Sequence, residues 1–254
     1  MMLIIDADVH IQTKKTAPNA IDADELLRRM DRAGVEKALV WIQPPYDRNV
    51  SRENRGLFIA VRQHPDRFLG FGWVNPRLGL KKALQELRRC LEEYGFNGVK
   101  FNGAQDDFKI DAPEVIELVA EAVERRRVVA FHVGADAPEN THPYRFARVA
   151  QHFPEGRFLM VHMGGAAHPP LADAAIEVAS GLHNTWLVGS AISELAIVQA
   201  LKQLGPGRVC FGSDTPFSLM HVQVCKYRAL LEDFPQHYFP MVMGENILKA
   251  LNIL

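Results

Sequence analysis

Eight short apolar runs recur along the 254-residue chain, and a segment with the period of a helix follows each of them. Nearly continuous apolar runs, without polar alternation, are typical of parallel strands that are buried on both faces of a sheet. The predicted strands cover residues 2–5, 37–42, 68–74, 98–101, 128–133, 157–162, 185–189 and 208–213.

Strict alternation of strands and helices over this length predicts an α/β fold, with the strands closed into a (β/α)8 TIM barrel. No low-complexity linker interrupts the alternation, so we expect one domain over residues 1–254. A doubly wound open sheet is the alternative, and it would normally bring a nucleotide fingerprint. The nearest candidate, "GFGWVN", has Asn75 where a third glycine would stand, which favours the barrel.

The same sequence also predicts where helices begin and end. Residues 111–126 are predicted to form a helix, with Asp111 as the N-cap and Pro113 in the first turn. Residues 80–95 place leucines on one stripe and end near Gly95, a residue typical of helix C-termini.

Polar residues stand at the carboxyl ends of the predicted strands, where the chemistry of such a barrel gathers. They are Asp6, Asp8 and His10 after strand one, Lys100 and Asn102 after strand four, His132 after strand five, His162 after strand six, Ser190 after strand seven and Asp214 after strand eight. Five of them are of the types that bind zinc or similar ions, namely Asp8, His10, His132, His162 and Asp214. Their common depth on several strands predicts a metal site.

Each of these residues also has a structural interpretation when it is taken singly. A lone histidine after a strand is more often hydrogen-bonded than a ligand, and Asp214 could form a turn before Pro216. Side chains two apart on a strand share a face, so Asp6, Asp8 and His10 are expected to point the same way. A metal rarely takes three ligands from one strand, and we therefore expect Asp6 to bond the backbone beyond it.

Two histidine nitrogens and two carboxylate oxygens would suit Zn(II) and also Mn(II). A catalytic site must keep one position open, where the pKa of water would fall from about 15.7 toward about 7.

Composition restricts the class of partner. The chain carries 29 Lys and Arg against 30 Asp and Glu, a formal charge of -1, and it has no long run of like charges, of about five or more residues. Nucleic acid and membrane are therefore poor candidates, and a small molecule is the expected partner. No apolar stretch approaches the roughly 20 residues that span a bilayer, and "MMLIID" lacks the features of a secretory signal, so we expect a cytoplasmic protein with reduced cysteines.

Several motifs together resemble the amidohydrolase superfamily. They are "IIDADVH", "RQHPDRFLGFGWVNP", "GVKF", "HVG", "VHMGG", "FGSDTPF" and "MGENILKAL", and they cover nearly the whole chain. The sequence around these motifs is similar to that of the amidohydrolase-related group, which also contains aminocarboxymuconate-semialdehyde decarboxylase and γ-resorcylate decarboxylase.

The resemblance implies one divalent metal ion, with Asp8, His10, His132 and Asp214 as its ligands. It also implies that His162 is a catalytic residue that polarises the substrate or carries a proton. Many superfamily members read His-x-His on strand one, whereas this chain has Asp8 at the first position. Zinc is the favoured ion and manganese the alternative, because the additional oxygen donor shifts the preference toward manganese.

Substrate contacts are predicted at Lys100, Asn102 and Arg48. Lys100 lies near the position of a carbamylated lysine in binuclear relatives, but here we expect it to contact the substrate or to be a charge beside the metal ligands. Arg48, or one of its neighbours Arg52 and Arg55, would clamp a substrate carboxylate. The group often forms dimers, so a homodimer is one expected assembly.

The leading hypothesis is metal-dependent hydrolysis of a small carboxylic ester, lactone or amide-like bond. Asp214 would take the proton of water as general base, and His162 would stabilise the developing oxyanion. The alternative is metal-dependent, non-oxidative decarboxylation of a small aromatic or dienoic acid, which can use the same ligands. A third reading, a non-catalytic binding barrel, is disfavoured by the intact His132, His162 and Asp214.

Overall fold

Eight parallel strands form one sheet and follow each other in chain order from β1 to β8. The computed structural model describes residues 3–13, 17–43 and 49–253. The strands are Ile5–Ile11 (β1), Lys37–Ile42 (β2), Phe68–Trp73 (β3), Gly98–Phe101 (β4), Val128–His132 (β5), Phe158–Val161 (β6), Thr185–Val188 (β7) and Val209–Cys210 (β8). The predicted (β/α)8 barrel is thus confirmed, and the open-sheet alternative is wrong.

Helices separate the strands and cover the outside of the barrel. They are Ala23–Ala33 (α1), Val50–Gln63 (α2), Leu80–Arg88 (α3), Pro113–Glu124 (α4), Pro138–Thr141 (α5), Pro143–His152 (α6), Pro169–Ser180 (α7), Glu194–Leu204 (α8), Met220–Glu232 (α9), Tyr238–Pro240 (α10) and Asn246–Leu251 (α11). Short 3-10 helices cover Pro76–Leu78 and Pro206–Arg208, and π-helical turns cover Arg89–Glu93 and Met241–Glu245. None of the helices among the described residues is long and apolar enough to cross a membrane.

The start of α4 differs from its prediction. The N-cap is Ala112, which offers no side-chain hydrogen bond, and not Asp111. The Asp111 carboxylate instead accepts hydrogen bonds from Arg145 at 2.6 Å and from Arg148 at 2.5 Å. Two charge-assisted bonds to α6 outweigh one bond to the backbone of its own helix.

Strand β1 is longer than predicted. The prediction ended the strand at residue 5, whereas β1 runs over Ile5–Ile11 and is buried throughout. Asp6, Asp8 and His10 therefore lie inside the strand. Pairing with β2 stabilises this extension, since His10 lies opposite Trp41 in the ladder.

The ladder between β1 and β2 contains an irregularity. Asp6 lies opposite Ala38 and Val9 lies opposite Val40, so β1 carries one residue more than β2 over this interval. An extra residue of this kind reverses which side chains face each side of the sheet.

Side chains on the two faces of the strands belong to two apolar clusters. The inner cluster lies within the barrel and includes Leu39, Trp41, Phe71, Ala130, Leu159 and Val188. The outer cluster joins the strands to the helices and includes Val40, Ile42, Val129, Phe131, Leu26, Leu57 and Leu118. Ile5 and Ala7 belong to the inner cluster, whereas Val9 and Ile11 belong to the outer one, so the inward-facing positions change from odd to even along β1.

The change of face separates Asp6 from Asp8 and His10. The expectation that all three side chains point the same way is wrong, because it assumed an uninterrupted period of two. The expectation that Asp6 bonds the backbone is confirmed: its Oδ1 accepts from Asp8 N at 3.1 Å and from Ser213 N at 2.8 Å.

Strand β8 is shorter than the predicted 208–213, and the chain beyond it closes the barrel against β1. Ala7 N donates to Phe211 O at 3.0 Å, and His10 N donates to Thr215 O at 2.7 Å. Val9 and Thr215 form a parallel bridge. Because these contacts are irregular, the segment is held to β1 without being a regular strand.

A pH dependence of stability follows from the buried Asp6. Burial raises the pKa of Asp6 from 3.8 to about 7, although the hydrogen bonds from Ser213 lower it. The pKa of Asp6 is thus higher in the folded state than in the unfolded state, so the folded protein binds the proton more tightly. The stabilisation from protonated Asp6 is complete below pH 3.8 and is lost as the pH rises through about 7. The loss is on the order of 4 kcal/mol.

We expect Asp6→Asn to keep the Oδ1 acceptor and to remove this loss. In urea unfolding of metal-depleted protein, the free energy of unfolding of the wild type should fall relative to Asp6→Asn between pH 4 and 8. The exposed Asp24, changed to Asn, is the control and should follow the wild type. Parallel pH profiles for Asp6→Asn and the wild type would contradict the prediction.

Candidate functional site

The Asp8 carboxylate is fully buried and is surrounded by side chains from four other positions of the barrel. Its Oδ2 accepts a 2.5 Å hydrogen bond from Ser190 Oγ and lies 3.6 Å from His162 Nδ1. Its Oδ1 lies 3.4 Å from His10 Nε2 and 3.6 Å from Lys100 Nζ. Burial by itself would raise the pKa of Asp8, but Lys100 and the two histidines outweigh it and hold this pKa below its usual range.

His10 is fixed at both ring nitrogens. Nδ1 lies 3.1 Å from Ile42 O, and Nε2 lies 3.0 Å from Trp41 Nε1. Because an indole N–H can only donate and a carbonyl can only accept, this geometry fits a neutral ring protonated at Nδ1. Burial lowers the pKa of His10, and the carboxylates of Asp214 and Asp8 outweigh it, so the net shift is upward.

Asp214 follows the irregular segment that closes the barrel. Its backbone N donates to Asp8 O at 2.9 Å, and its Oδ1 lies 3.6 Å from His10 Nε2. The residue adopts a φ of 58°, in a region where non-glycine residues are uncommon. Such conformations cluster at functional sites, where the surrounding structure holds them.

His132 and His162 lie side by side, with ring centroids 4.5 Å apart. The glycines after them make this approach possible, since a Cβ on Gly134 would stand 2.5 Å from Gly164 O. Burial and the neighbouring His132 lower the pKa of His162 to about 4. His162 is therefore neutral at neutral pH, and its Nδ1 lies 3.0 Å from Ser190 Oγ.

His132 forms a very short contact between its Nε2 and Asp136 Oδ1. Burial lowers the pKa of His132 even though Asp136 opposes the effect. The Asp136 side chain is 68% exposed, so it reaches the site from the solvent side.

Three of the predicted residues form a group that could hold a metal ion. Asp8, His162 and Asp214 each offer one ligand atom, and these atoms lie within 4.8 Å of one another. The group differs from the predicted ligand set, since within the described part of the chain it includes His162 and leaves out His10 and His132. The Asp8 Oδ1 is buried and receives no hydrogen bond from any described residue, as expected for a ligand oxygen.

A cavity of about 350 Å³ opens onto this group. Its lining residues are His10, Asn102, Gln105, His132, Ala135, Asp136, His162, Ala191, Asp214 and Phe217. Asn102 thus lines the cavity, and its contact with a substrate stays a prediction. Lys100 does not line the cavity. It is buried beside Asp8, with Nζ 3.6 Å from Asp8 Oδ1 and 3.7 Å from the centre of the Trp41 ring, which favours the charge role over the substrate role. Arg48 lies outside the described residues, and Arg52 pairs with Glu53 at 2.9 Å.

Sequence reasoning missed the roles of Trp41, Ser190 and Asp136. Ser190 stood among the polar strand ends, but a lone serine offers no signal of its bond to Asp8. Trp41 belonged to an apolar run and was indistinguishable from a core residue. Asp136 lies four residues after His132, in a loop whose direction only the tertiary structure determines.

Comparisons with known proteins agree with the fold. A family model described as amidohydrolase matches residues 5–253. A curated relative, 2-amino-3-carboxymuconate-6-semialdehyde decarboxylase of Dictyostelium discoideum, is 21% identical over 92% of this chain and 78% of its own length. γ-Resorcylate decarboxylase of Rhodococcus jostii is 31% identical over 35% of this chain and 30% of its own length.

Among solved structures, a dihydroxybenzoic acid decarboxylase from Polaromonas with bound manganese and the inhibitor 2-nitroresorcinol has a similar fold. The TM-score is 0.78 with 17% sequence identity, and the match covers 100% of this chain and 98% of that one.

These comparisons overturn the leading hypothesis of ester, lactone or amide hydrolysis. The named relatives are decarboxylases, which was the alternative. The error has a physical cause, because one set of carboxylates and histidines around a divalent ion can serve either reaction.

The hydrogen bond from Ser190 to Asp8 generates a prediction. Residues that orient metal ligands typically contribute 10- to 100-fold to metal affinity, and we expect Ser190→Ala to weaken Zn(II) or Mn(II) binding by about that factor. Ser193→Ala is the matched control, since Ser193 caps α8 and does not contact Asp8. Competition with a chromophoric chelator measures the affinity, and equal weakening in both variants would contradict the prediction.

Proposed function

The chain belongs to the amidohydrolase family, and from this premise we propose that it is a metal-dependent, non-oxidative decarboxylase of a small aromatic or dienoic acid. The observation that carries the proposal is a cavity lined by His162 and Asp214, two members of the group whose third member, Asp8, has a buried and unsatisfied Oδ1. Its volume of about 350 Å³ lies in the range of small-molecule sites, and the decarboxylase names of the relatives support the reaction class.

One divalent ion would be held by Asp8 and Asp214 together with histidines of the cluster. His162 lies within the metal-binding group, whereas His10 and His132 remain predicted ligands. Two carboxylate donors favour manganese over zinc, and the manganese in the Polaromonas decarboxylase supports this choice. When bound, the ion supplies positive charge that holds an acidic substrate oxygen and stabilises the charge that develops during the reaction.

Decarboxylation replaces the carbon–carboxylate bond with a carbon–hydrogen bond. The electron pair of the broken bond stays on the substrate carbon, carbon dioxide leaves, and the carbon takes up one proton. The Asp214 side chain lines the cavity and is 16% exposed, so it is placed to hold that proton and to deliver it.

Besides lying within the metal-binding group, His162 lines the cavity and can contact the substrate. Its ring is neutral near pH 7, because burial lowers its pKa to about 4. It can therefore hydrogen-bond a substrate oxygen as a neutral ring.

Asn102 presents donors to the substrate. Its Oδ1 accepts from Ala104 N and from Gln105 N, each at 3.1 Å. The amide oxygen is thus engaged with the backbone, and the Nδ2 protons remain for a ligand in the cavity. A carboxylate or hydroxyl oxygen of the substrate is the acceptor that this arrangement fits.

The proposal is tested by incubating manganese-loaded protein with 2,6-dihydroxybenzoate and a panel of related aromatic and dienoic acids. Release of carbon dioxide with formation of the decarboxylated product is the expected result. Hydrolysis of ester or lactone substrates without any release of carbon dioxide would contradict it.

Asp214→Asn should reduce the rate of carbon dioxide release about 100-fold or more, because the amide cannot deliver a proton. Asp66→Asn, on the exposed surface, is the control and should keep the wild-type rate. Circular dichroism and metal content of both variants would show that the fold and the ion are retained. A wild-type rate in Asp214→Asn would remove Asp214 from the mechanism.

A further inference from the structure

Trp41 makes two polar contacts in the centre of the barrel, although it lies in an apolar run. The residue is fully buried in β2. Its indole Nε1 donates to His10 Nε2 at 3.0 Å, and its ring face lies 3.7 Å from Lys100 Nζ. The edge of the indole also packs against Phe71, with ring centroids 5.9 Å apart. The indole is thus fixed from several sides.

The contact with His10 involves the nitrogen that a metal ion would need. Nδ1 of His10 faces Ile42 O at 3.1 Å and carries the ring proton, so Nε2 bears the lone pair. Nε2 also faces Asp8 Oδ1 at 3.4 Å and Asp214 Oδ1 at 3.6 Å, and it therefore points toward the two carboxylates of the metal-binding group. One lone pair cannot both accept the indole proton and bind an ion.

His10 lies outside the group of residues whose ligand atoms are mutually close. Asp8, His162 and Asp214 offer ligand atoms within 4.8 Å of one another, and His10 is not a member of that group within the described residues. His10 is thus at the edge of the site, with its lone pair engaged by Trp41.

We propose that Trp41 regulates divalent-metal binding by occupying His10 Nε2 until an ion displaces the indole N–H. The proposal rests on the proposed metal-dependent function and adds an order of events to it. Asp8, His162 and Asp214 receive the ion first, and His10 joins only when its hydrogen bond to Trp41 breaks. The cost of breaking this bond weakens the affinity of the site for the ion.

Trp41 also keeps the positive charge of Lys100 beside Asp8. The Lys100 Nζ has no hydrogen-bond acceptor among the described residues, so the ring face and the carboxylate are the contacts that hold it. A phenylalanine at this position would keep an aromatic face for Lys100 and remove the N–H together with part of the ring volume, a loss that an equivalent change at another buried tryptophan controls for. The change Trp41→Phe therefore separates the two contacts.

The other tryptophans provide matched controls. The chain has three, and their indole N–H groups differ in partner. Trp73 Nε1 donates to Asp106 Oδ2 at 2.7 Å, away from the histidines. Trp186 Nε1 is buried and has no acceptor in the described part of the chain. Trp186→Phe thus removes an indole N–H from the core without removing a hydrogen bond.

The affinities of chelator-treated wild type, Trp41→Phe and Trp186→Phe for Zn(II) and Mn(II) are measured by competition with a chromophoric chelator. Because the net contribution of one hydrogen bond is modest, we expect Trp41→Phe to bind the ions about two- to tenfold more tightly than the wild type. Trp186→Phe should match the wild type. An unchanged or weaker affinity in Trp41→Phe overturns the proposal.

A second measurement needs no substitution at Trp41 and remains decisive if that variant does not fold. In wild-type protein labelled with 15N in tryptophan, the three indole N–H signals are followed while Zn(II) is added, with Trp73→Phe and Trp186→Phe used for assignment. The signal of Trp41 should move and its proton should exchange faster with solvent, while the other two stay in place. A stationary Trp41 signal in zinc-loaded protein overturns the proposal.

Failure of the metal-dependent function is distinguishable from failure of this proposal. If the wild type binds neither ion, the metal site itself is refuted, and the proposal falls with it. If the wild type binds zinc but the Trp41 signal and the Trp41→Phe affinity do not change, only the role of Trp41 is refuted.

Discussion

The buried carboxylate of Asp8 is the constraint on which the rest of the site depends. A fully buried charge is costly unless other groups compensate it, and here the compensation comes from strands that are far apart in the chain. Ser190 donates to one oxygen, while Lys100 and His10 lie beside the other. The second oxygen still lacks a hydrogen bond from any described residue, and a divalent cation would satisfy it.

The extra residue in β1 makes this arrangement possible. Before it, Ile5 and Ala7 fill the inner cluster, and after it the even-numbered residues face the interior. Asp6 therefore bonds the backbone at the closure of the barrel, whereas Asp8 and His10 face the site. A regular strand would have sent all three polar side chains to one face.

The residues that hold charge at this site do not by themselves name the reaction. Carboxylates and histidines around an ion serve hydrolysis as well as decarboxylation, which is why the sequence favoured the wrong one. The named relatives indicate decarboxylation. The cavity beside the metal-binding group provides space for a small molecule, which the ligand residues alone do not show. The amide of Asn102 lines the cavity and has its oxygen engaged by the backbone.

Alternation of apolar runs with helical segments determined the barrel, because parallel strands buried on both faces must be apolar throughout. The same logic placed Asp8, His10, His132, His162 and Asp214 at one end of it. Only the tertiary structure decided that β1 changes face, that Lys100 lies beside Asp8, and that Trp41 and Ser190 contact the site. These features depend on the register and approach of segments up to 182 residues apart, and a local pattern of side chains carries no information about such contacts.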